Sequence, residues 1–232
     1  MRCINKLISV LLLLTIVSSM AMVVSAETVQ PYTDVPEDAW YAEGVYSYLY
    51  YSNYMSGVGN GRFAPEETMT RAMMTTVLWR ISPYGPRSNT TYPYDEAYFA
   101  DLPDQTWYTQ AVLWGRHFGV VNGYVLGEDR FFAPDQAVTR EEAAVLLYRY
   151  ATEIREGFLD TDARAELTRF ADADSVSVWA LDAMQWCVDK ELFQGSSEGG
   201  RLLLNPQGTM TRAEAAVLLN RFCSYELTSI WS

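Results

Sequence analysis

The feature that most limits how this chain can fold is a pattern that occurs three times. Asp34 and Trp40 precede Phe63-Ala64-Pro65 and Thr70-Arg71. Asp101 and Trp107 precede Phe132-Ala133-Pro134 and Thr139-Arg140. Asp172 and Trp179 precede Leu204-Asn205-Pro206 and Thr211-Arg212. The tryptophans stand 67 and 72 residues apart (107 − 40 and 179 − 107), and the arginines 69 and 72 (140 − 71 and 212 − 140). A period this regular makes each unit one supersecondary element that buries its apolar face only against its neighbours. It bears on function too. Three copies of the same polar residues suit a multivalent binder better than a catalyst, whose groups take different roles.

Within each unit the residues read as helix, loop, helix. In the first, Trp40, Val45, Tyr48 and Leu49 lie at helical spacing after a Pro36-Glu37-Asp38 start, and a second helix runs from Thr70 through Ile81. Gly57, Gly59 and Gly61 break the chain between them. Repeat two gives helices over Trp107–Phe118 and Thr139–Tyr150 around a turn at Asn122-Gly123. Repeat three gives Trp179–Leu192 and Thr211–Phe222 around Gly195, Gly199 and Gly200. The expected layout is a leader over 1–26, repeats over 27–83, 98–152 and 169–224, linkers over 84–97 and 153–168, and a tail over 225–232. The first linker should be irregular, and the charged second one has room for an extra helical turn. Three units without polar capping repeats are expected to close on one another. The fold class is mainly α, with short extended segments.

Arg2 and Lys6, the apolar run Leu7 to Val17 and the small residues Val24-Ser25-Ala26 have the form of a secretory signal peptide. The apolar core is too short for a membrane span. No second such run follows, so the expected mature chain is exported and has no transmembrane anchor. The formal net charge of −12 becomes −14 (15 − 29) once Arg2 and Lys6 are removed. A surface this acidic repels nucleic acid and anionic lipid. Cys187 and Cys223 are the cysteines left, expected as buried unpaired thiols. His117 is the single histidine, so neither a histidine triad nor a multi-histidine metal site can be assembled. No metal or cofactor is expected.

Thr139-Arg140-Glu141-Glu142 and Thr211-Arg212-Ala213-Glu214 are capping boxes: the Thr hydroxyl takes the amide three residues on, and Glu142 or Glu214 reaches back to the Thr amide. In repeat one the Glu position is Met73, so capping rests on Thr70 alone. Capping does not account for Arg71, Arg140 and Arg212. Each occupies the first helical position, where the helix dipole disfavours a cation by roughly 0.3–1 kcal/mol. Three arginines there point to an anion held beside helix amides, or to pairing with Asp34, Asp101 and Asp172. Trp40, Trp107 and Trp179 read as core residues with one exposed edge. Gly57, Gly123 and Gly195 read as turns that can also bring backbone amides to a ligand.

The starts Tyr32-Thr33-Asp34, Phe99-Ala100-Asp101 and Phe170-Ala171-Asp172, together with the three tetrads from Thr70, Thr139 and Thr211, resemble the surface-layer homology domain of bacterial cell-envelope proteins. The resemblance implies a pseudo-threefold helical bundle. It implies that grooves between neighbouring repeats bind secondary cell-wall polysaccharide, often bearing acidic ketal-pyruvate groups, with the tetrad arginine on the anion. Candidate ligand residues are therefore Arg71, Arg140, Arg212, Asp34, Asp101, Asp172, Trp40, Trp107, Trp179, Gly57, Gly123 and Gly195. Other surface-layer proteins are possible further partners. Met73 for Glu, Leu204 for Phe and the lack of Tyr after Gly195 mark grooves altered or silent. Two rival functions are an adaptor that binds other envelope proteins and, on acidic residues alone, a cell-wall hydrolase.

Overall fold

The computed structural model describes residues 32–47, 52–95 and 98–229. The signal-peptide residues 1–26, and Tyr48 and Leu49 of the expected first helix, lie outside them. The fold is mainly α. In chain order come α1 (Ala42–Tyr46), α2 (Arg71–Ile81), α3 (Thr109–His117), hairpin strands β1 (Tyr124–Leu126) and β2 (Asp129–Phe131), α4 (Arg140–Glu153), α5 (Leu181–Asp189), strands β3 (Ser196–Glu198) and β4 (Arg201–Leu203), and α6 (Arg212–Ser229). Both hairpins are antiparallel; in the first repeat an isolated bridge between Gly59 and Arg62 stands in the corresponding place.

The second helix of each repeat starts where the tetrad predicts and for the reason given by its Thr. Thr70 Oγ accepts from the Met73 amide, Thr139 from Glu142 and Thr211 from Glu214, each at 3.2 Å. Glu142 and Glu214 return the bond to the Thr139 and Thr211 amides at 3.0 and 2.8 Å. The first helices carry no side-chain cap and are short, so packing must hold them. α1 lies on α6, α3 on α2 and α5 on α4. Each first helix thus covers a second helix of another repeat.

The linkers differ in detail from expectation. The segment after α2 holds a 3₁₀ turn at Pro86–Ser88. The one after α4 gains no helix, because Arg155, Asp160, Arg164 and Trp186 make loop bonds there instead. α6 runs seven residues past Phe222 to Ser229 (229 − 222), its extension anchored by buried Glu226 against Arg155 at 3.0 Å. Burial pushes the Glu226 carboxyl up to about 7, against the pull of Arg155. Cys187 and Cys223 are free and buried.

The residues just before the three tetrads meet at the centre of the core. Met69, Val138 and Met210 are at most 1 % exposed. The Met69 amide donates to the Met210 carbonyl at 2.9 Å, Val138 to Met69 at 2.9 Å, and Met210 to Val138 at 3.1 Å. These three bonds run head to tail and return to their start, so each repeat gives one bond and receives one.

Candidate functional site

The helix starts exchange bonds around the three repeats in the opposite sense. The Arg71 and Ala72 amides donate to the carbonyls of Gln136 and Pro134, those of Arg140 and Glu141 to Gly208 and Pro206, and those of Arg212 and Ala213 to Glu67 and Pro65. The expectation of free helix amides beside each arginine is therefore corrected. A loop of the next repeat docks on each helix start and takes the donors that a helix end leaves open.

Asp34, Asp101 and Asp172 form a second repeated device. The two oxygens of Asp34 accept the Phe63 and Ala64 amides at 2.7 and 2.8 Å; Asp101 takes Phe132 and Ala133, both at 2.7 Å; Asp172 takes Leu204 and Asn205 at 2.8 and 2.7 Å. Ala64, Ala133 and Asn205 have φ between 51° and 58°. That is the left-handed region, which an L-residue occupies only when its surroundings hold it there. Burial works against the Asp34 carboxylate, but the two amides and Arg62 keep its pKa below the ordinary value.

The tetrad arginines do not reach these carboxylates. Each crosses to the carbonyl of the residue whose amide the Asp holds. Arg71 Nε donates to Phe132 O at 2.9 Å, Arg140 Nε to Leu204 O at 2.6 Å, and Arg212 Nε to Phe63 O at 2.9 Å. One peptide in each repeat is thus gripped at its N–H from within and at its C=O from a neighbour. Beyond that shared bond the three corners differ.

Arg140 stacks 4.6 Å from the Phe193 ring centre, and its Nη1 stands 3.8 Å from Glu214. It lines a cavity of about 350 Å³ with Trp40, Gly195, Asn205, Glu214 and Arg221. All three repeats contribute, since Trp40 belongs to the first, Arg140 to the second and the rest to the third. Burial lowers the pKa of the Arg140 guanidinium, Glu214 and Asp172 resist, and the positive charge of Arg221 adds to the lowering.

Arg212 bonds the Ser56 carbonyl at 2.9 Å and lies 4.7 Å from the Phe63 ring centre. Its cavity, about 150 Å³, is lined by Gly57, Met73, Arg80 and Trp107. Met73 stands where Glu214 stands at the other corner, and Nη1 donates to its sulfur at 3.9 Å.

Arg71 is enclosed by its own neighbours. Its guanidinium lies 4.6 Å from the Tyr124 ring centre and 5.3 Å from that of Phe132, and Nη1 meets Glu142 at 3.4 Å. The Tyr124 hydroxyl donates to the same Glu142 oxygen. Burial, and then that carboxylate, push the Tyr124 phenol up to about 12.

Trp40, Trp107 and Trp179 are 67, 59 and 59 % exposed. The reading of them as core residues is corrected. Trp40 and Trp107 are set edge-on against Tyr41 and Tyr108, which take the buried positions instead. Trp179 lines neither of the two cavities described. A β-carbon on Gly57, Gly123 or Gly195 would collide with Tyr32, Phe99 or Phe170 respectively. Those rings therefore fix the glycines by close approach.

A second threefold arginine set escapes a motif-based reading. Arg80, Arg149 and Arg221 each follow a tetrad arginine by nine residues (80 − 71, 149 − 140, 221 − 212), and Arg80 and Arg221 line the two cavities. The constant spacing was the available signal. His117 is exposed and packs on Tyr92 and Phe118. Among the described residues no cluster of three or more His, Cys, Asp or Glu could hold a metal ion, and no helix is long and apolar enough to cross a membrane.

The family description of the S-layer homology domain matches residues 31–73, 98–144 and 169–216. The chain is 28 % identical over 181 residues to a surface-layer 125 kDa protein of Lysinibacillus sphaericus, covering 78 % of this chain and 14 % of that one. It is 26 % identical over 194 residues to a cellulosome-anchoring protein of Acetivibrio thermocellus, covering 84 % and 39 %. It is 27 % identical over 224 residues to an endoglucanase of a Bacillus species, covering 94 % and 22 %. The chain thus spans between 14 and 39 % of the length of these relatives. Three matched segments, each holding one Asp clamp and one inter-repeat arginine, place this chain in the S-layer homology domain family.

Proposed function

We propose that this chain is an exported module that attaches non-covalently to the bacterial cell surface. Its three repeats close into a pseudo-threefold bundle, and clefts between them bind secondary cell-wall polysaccharide through acidic, ketal-pyruvate-type groups. Surface attachment is supported by the family and by relatives named for surface layers and for cellulosome anchoring. The observation that carries the glycan reading is the Arg140 cavity. A partly buried guanidinium, an exposed indole and a glycine turn line one space, a combination suited to an acid group on a sugar ring.

Net acidity does not forbid this. A charge-assisted hydrogen bond contributes about 1.5–3 kcal/mol, whereas surface charges beyond roughly 8–10 Å are screened at physiological salt. The Arg140 and Arg212 clefts are the working pair in this reading, and the Arg71 corner is filled by Tyr124. The test is pull-down of the Arg140→Ala/Arg212→Ala variant by purified wall polymer. Binding should fall while the helical circular dichroism signal persists; unchanged binding by a folded double variant would refute the cleft assignment.

A further inference from the structure

The Arg140 cavity does not end at Arg221. A second cavity of about 430 Å³, lined by Glu43, Lys190, Asn220 and Ser224, shares the walls Trp40, Gln194, Val217 and Arg221 with the first. The junction is well held. Arg221 donates to the Leu192 carbonyl at 3.2 Å and to the Gln194 side-chain oxygen at 3.1 Å, which fixes its guanidinium as a sill between the two spaces. Trp40 offers its exposed indole to both.

The two chambers differ in chemistry. The first carries Arg140 and Arg221 against one carboxylate, Glu214. The second shares Arg221 but not Arg140; its Lys190 is already matched by Asp160 at 2.7 Å and Asp189 at 3.1 Å, and the other residues it does not share are Glu43, Gly44, Glu191, Asn220 and Ser224. That lining repels an anion and offers hydrogen-bond partners to hydroxyl groups. Length points the same way. Glu214 and Ser224, both on α6, are ten residues apart (224 − 214), which at 1.5 Å per residue is about 15 Å. One pyranose ring cannot cover that distance.

Resting on the glycan reading above, we infer that the Arg140 cleft is an oligosaccharide site. The acid-bearing sugar sits by Arg140, and the neutral sugars that follow it pass Trp40 into a second subsite made by Glu43 and Asn220. Glu43 is exposed and Asn220 half-buried on helix surfaces, so both can be truncated without opening the core.

The test is calorimetric titration of the full chain with two probes. One is the methyl glycoside of a pyruvate-ketal hexose; the other is a trisaccharide with the same ketal hexose at its non-reducing end. The trisaccharide should bind at least tenfold more tightly. The Glu43→Ala/Asn220→Ala variant should bring that ratio to within about twofold of one while keeping the affinity for the monosaccharide, which also reports that the cleft remains folded. Equal affinities in the parent chain, or a length advantage that survives in the variant, would overturn the second subsite and leave the first standing. Failure of both probes to bind would overturn the glycan reading and this inference with it.

Discussion

The corners at Arg71 and Arg140 begin from the same bond, a guanidinium Nε on the carbonyl of a neighbouring repeat, and end differently. Arg71 lies under the Tyr124 ring with Glu142 against it; Arg140 borders a cavity of about 350 Å³. The residue after the turn glycine separates them. It is Tyr124 after Gly123 and Ser196 after Gly195. A tyrosine there is long enough to reach Glu142 and cover the cation, and a serine is not. Similarity to the family pattern therefore does not measure openness. Repeat two has the fullest motif and supplies the lid over Arg71, while Ser196, where repeat three departs from the pattern, lines the Arg140 cavity. Whether a corner is open depends on a contact between two repeats, which neither repeat's motif contains alone.

Replacing each arginine in turn should break the symmetry between the corners most clearly. Arg140→Ala removes a charge-assisted contact and should weaken binding to native walls by about 10- to 100-fold. Arg71→Ala should leave wall binding within about twofold but cost about 2 kcal/mol of stability, because Glu142 loses its cation inside a packed corner. Sedimentation and thermal melts of the two variants measure both effects.

Tyr124→Ser should sharpen the comparison by making the Arg71 corner resemble the Arg140 one. The number of ketal-hexose sites read by calorimetry should rise by one, with about 1 kcal/mol of stability lost from the stacking and the hydroxyl bond. No change in stoichiometry would show that Tyr124 is not what closes the corner.

Met73→Glu should complete the third capping box and give Arg212 the carboxylate that the other two tetrad arginines face. A gain of roughly 0.5–1 kcal/mol is expected, read as a melting temperature a few degrees higher. Binding at Arg212 should weaken, because the new carboxylate competes with the ligand acid.

The smallest effect concerns alkali. The Tyr124 phenol is raised in the folded chain to about 12. A group raised in this way contributes its stability in full below the unfolded value near 10 and loses it as pH climbs through 12. Stability should therefore show a Tyr124-dependent decline between about pH 10 and 12, absent from Tyr124→Phe, and ultraviolet titration of the phenolate would follow it.

The elements were legible in the sequence where one residue sufficed to define them. Thr70, Thr139 and Thr211 place the second helices because capping is a local bond. The first helices were legible only in outline: the Trp at each start signals a helix, but the buried ring belongs to its neighbour Tyr41 or Tyr108. That neighbour was not visible from periodicity, since α1 and α3 are shaped by the second helices they cover. The arginines were legible as unusual, but their partners were not. Arg212 meets Phe63 across 149 positions of chain (212 − 63), and no local pattern encodes such a contact. Arg80, Arg149 and Arg221 are legible only through their constant offset of nine residues from the tetrad arginines, which extends the period into the helices.

The claim on which the rest depends is that the chain holds walls through their secondary polymer. Sedimentation of the full chain with native walls, and with walls stripped of that polymer, tests it most directly. The account predicts pelleting with native walls and a soluble chain with stripped ones. Equal pelleting with both would contradict it.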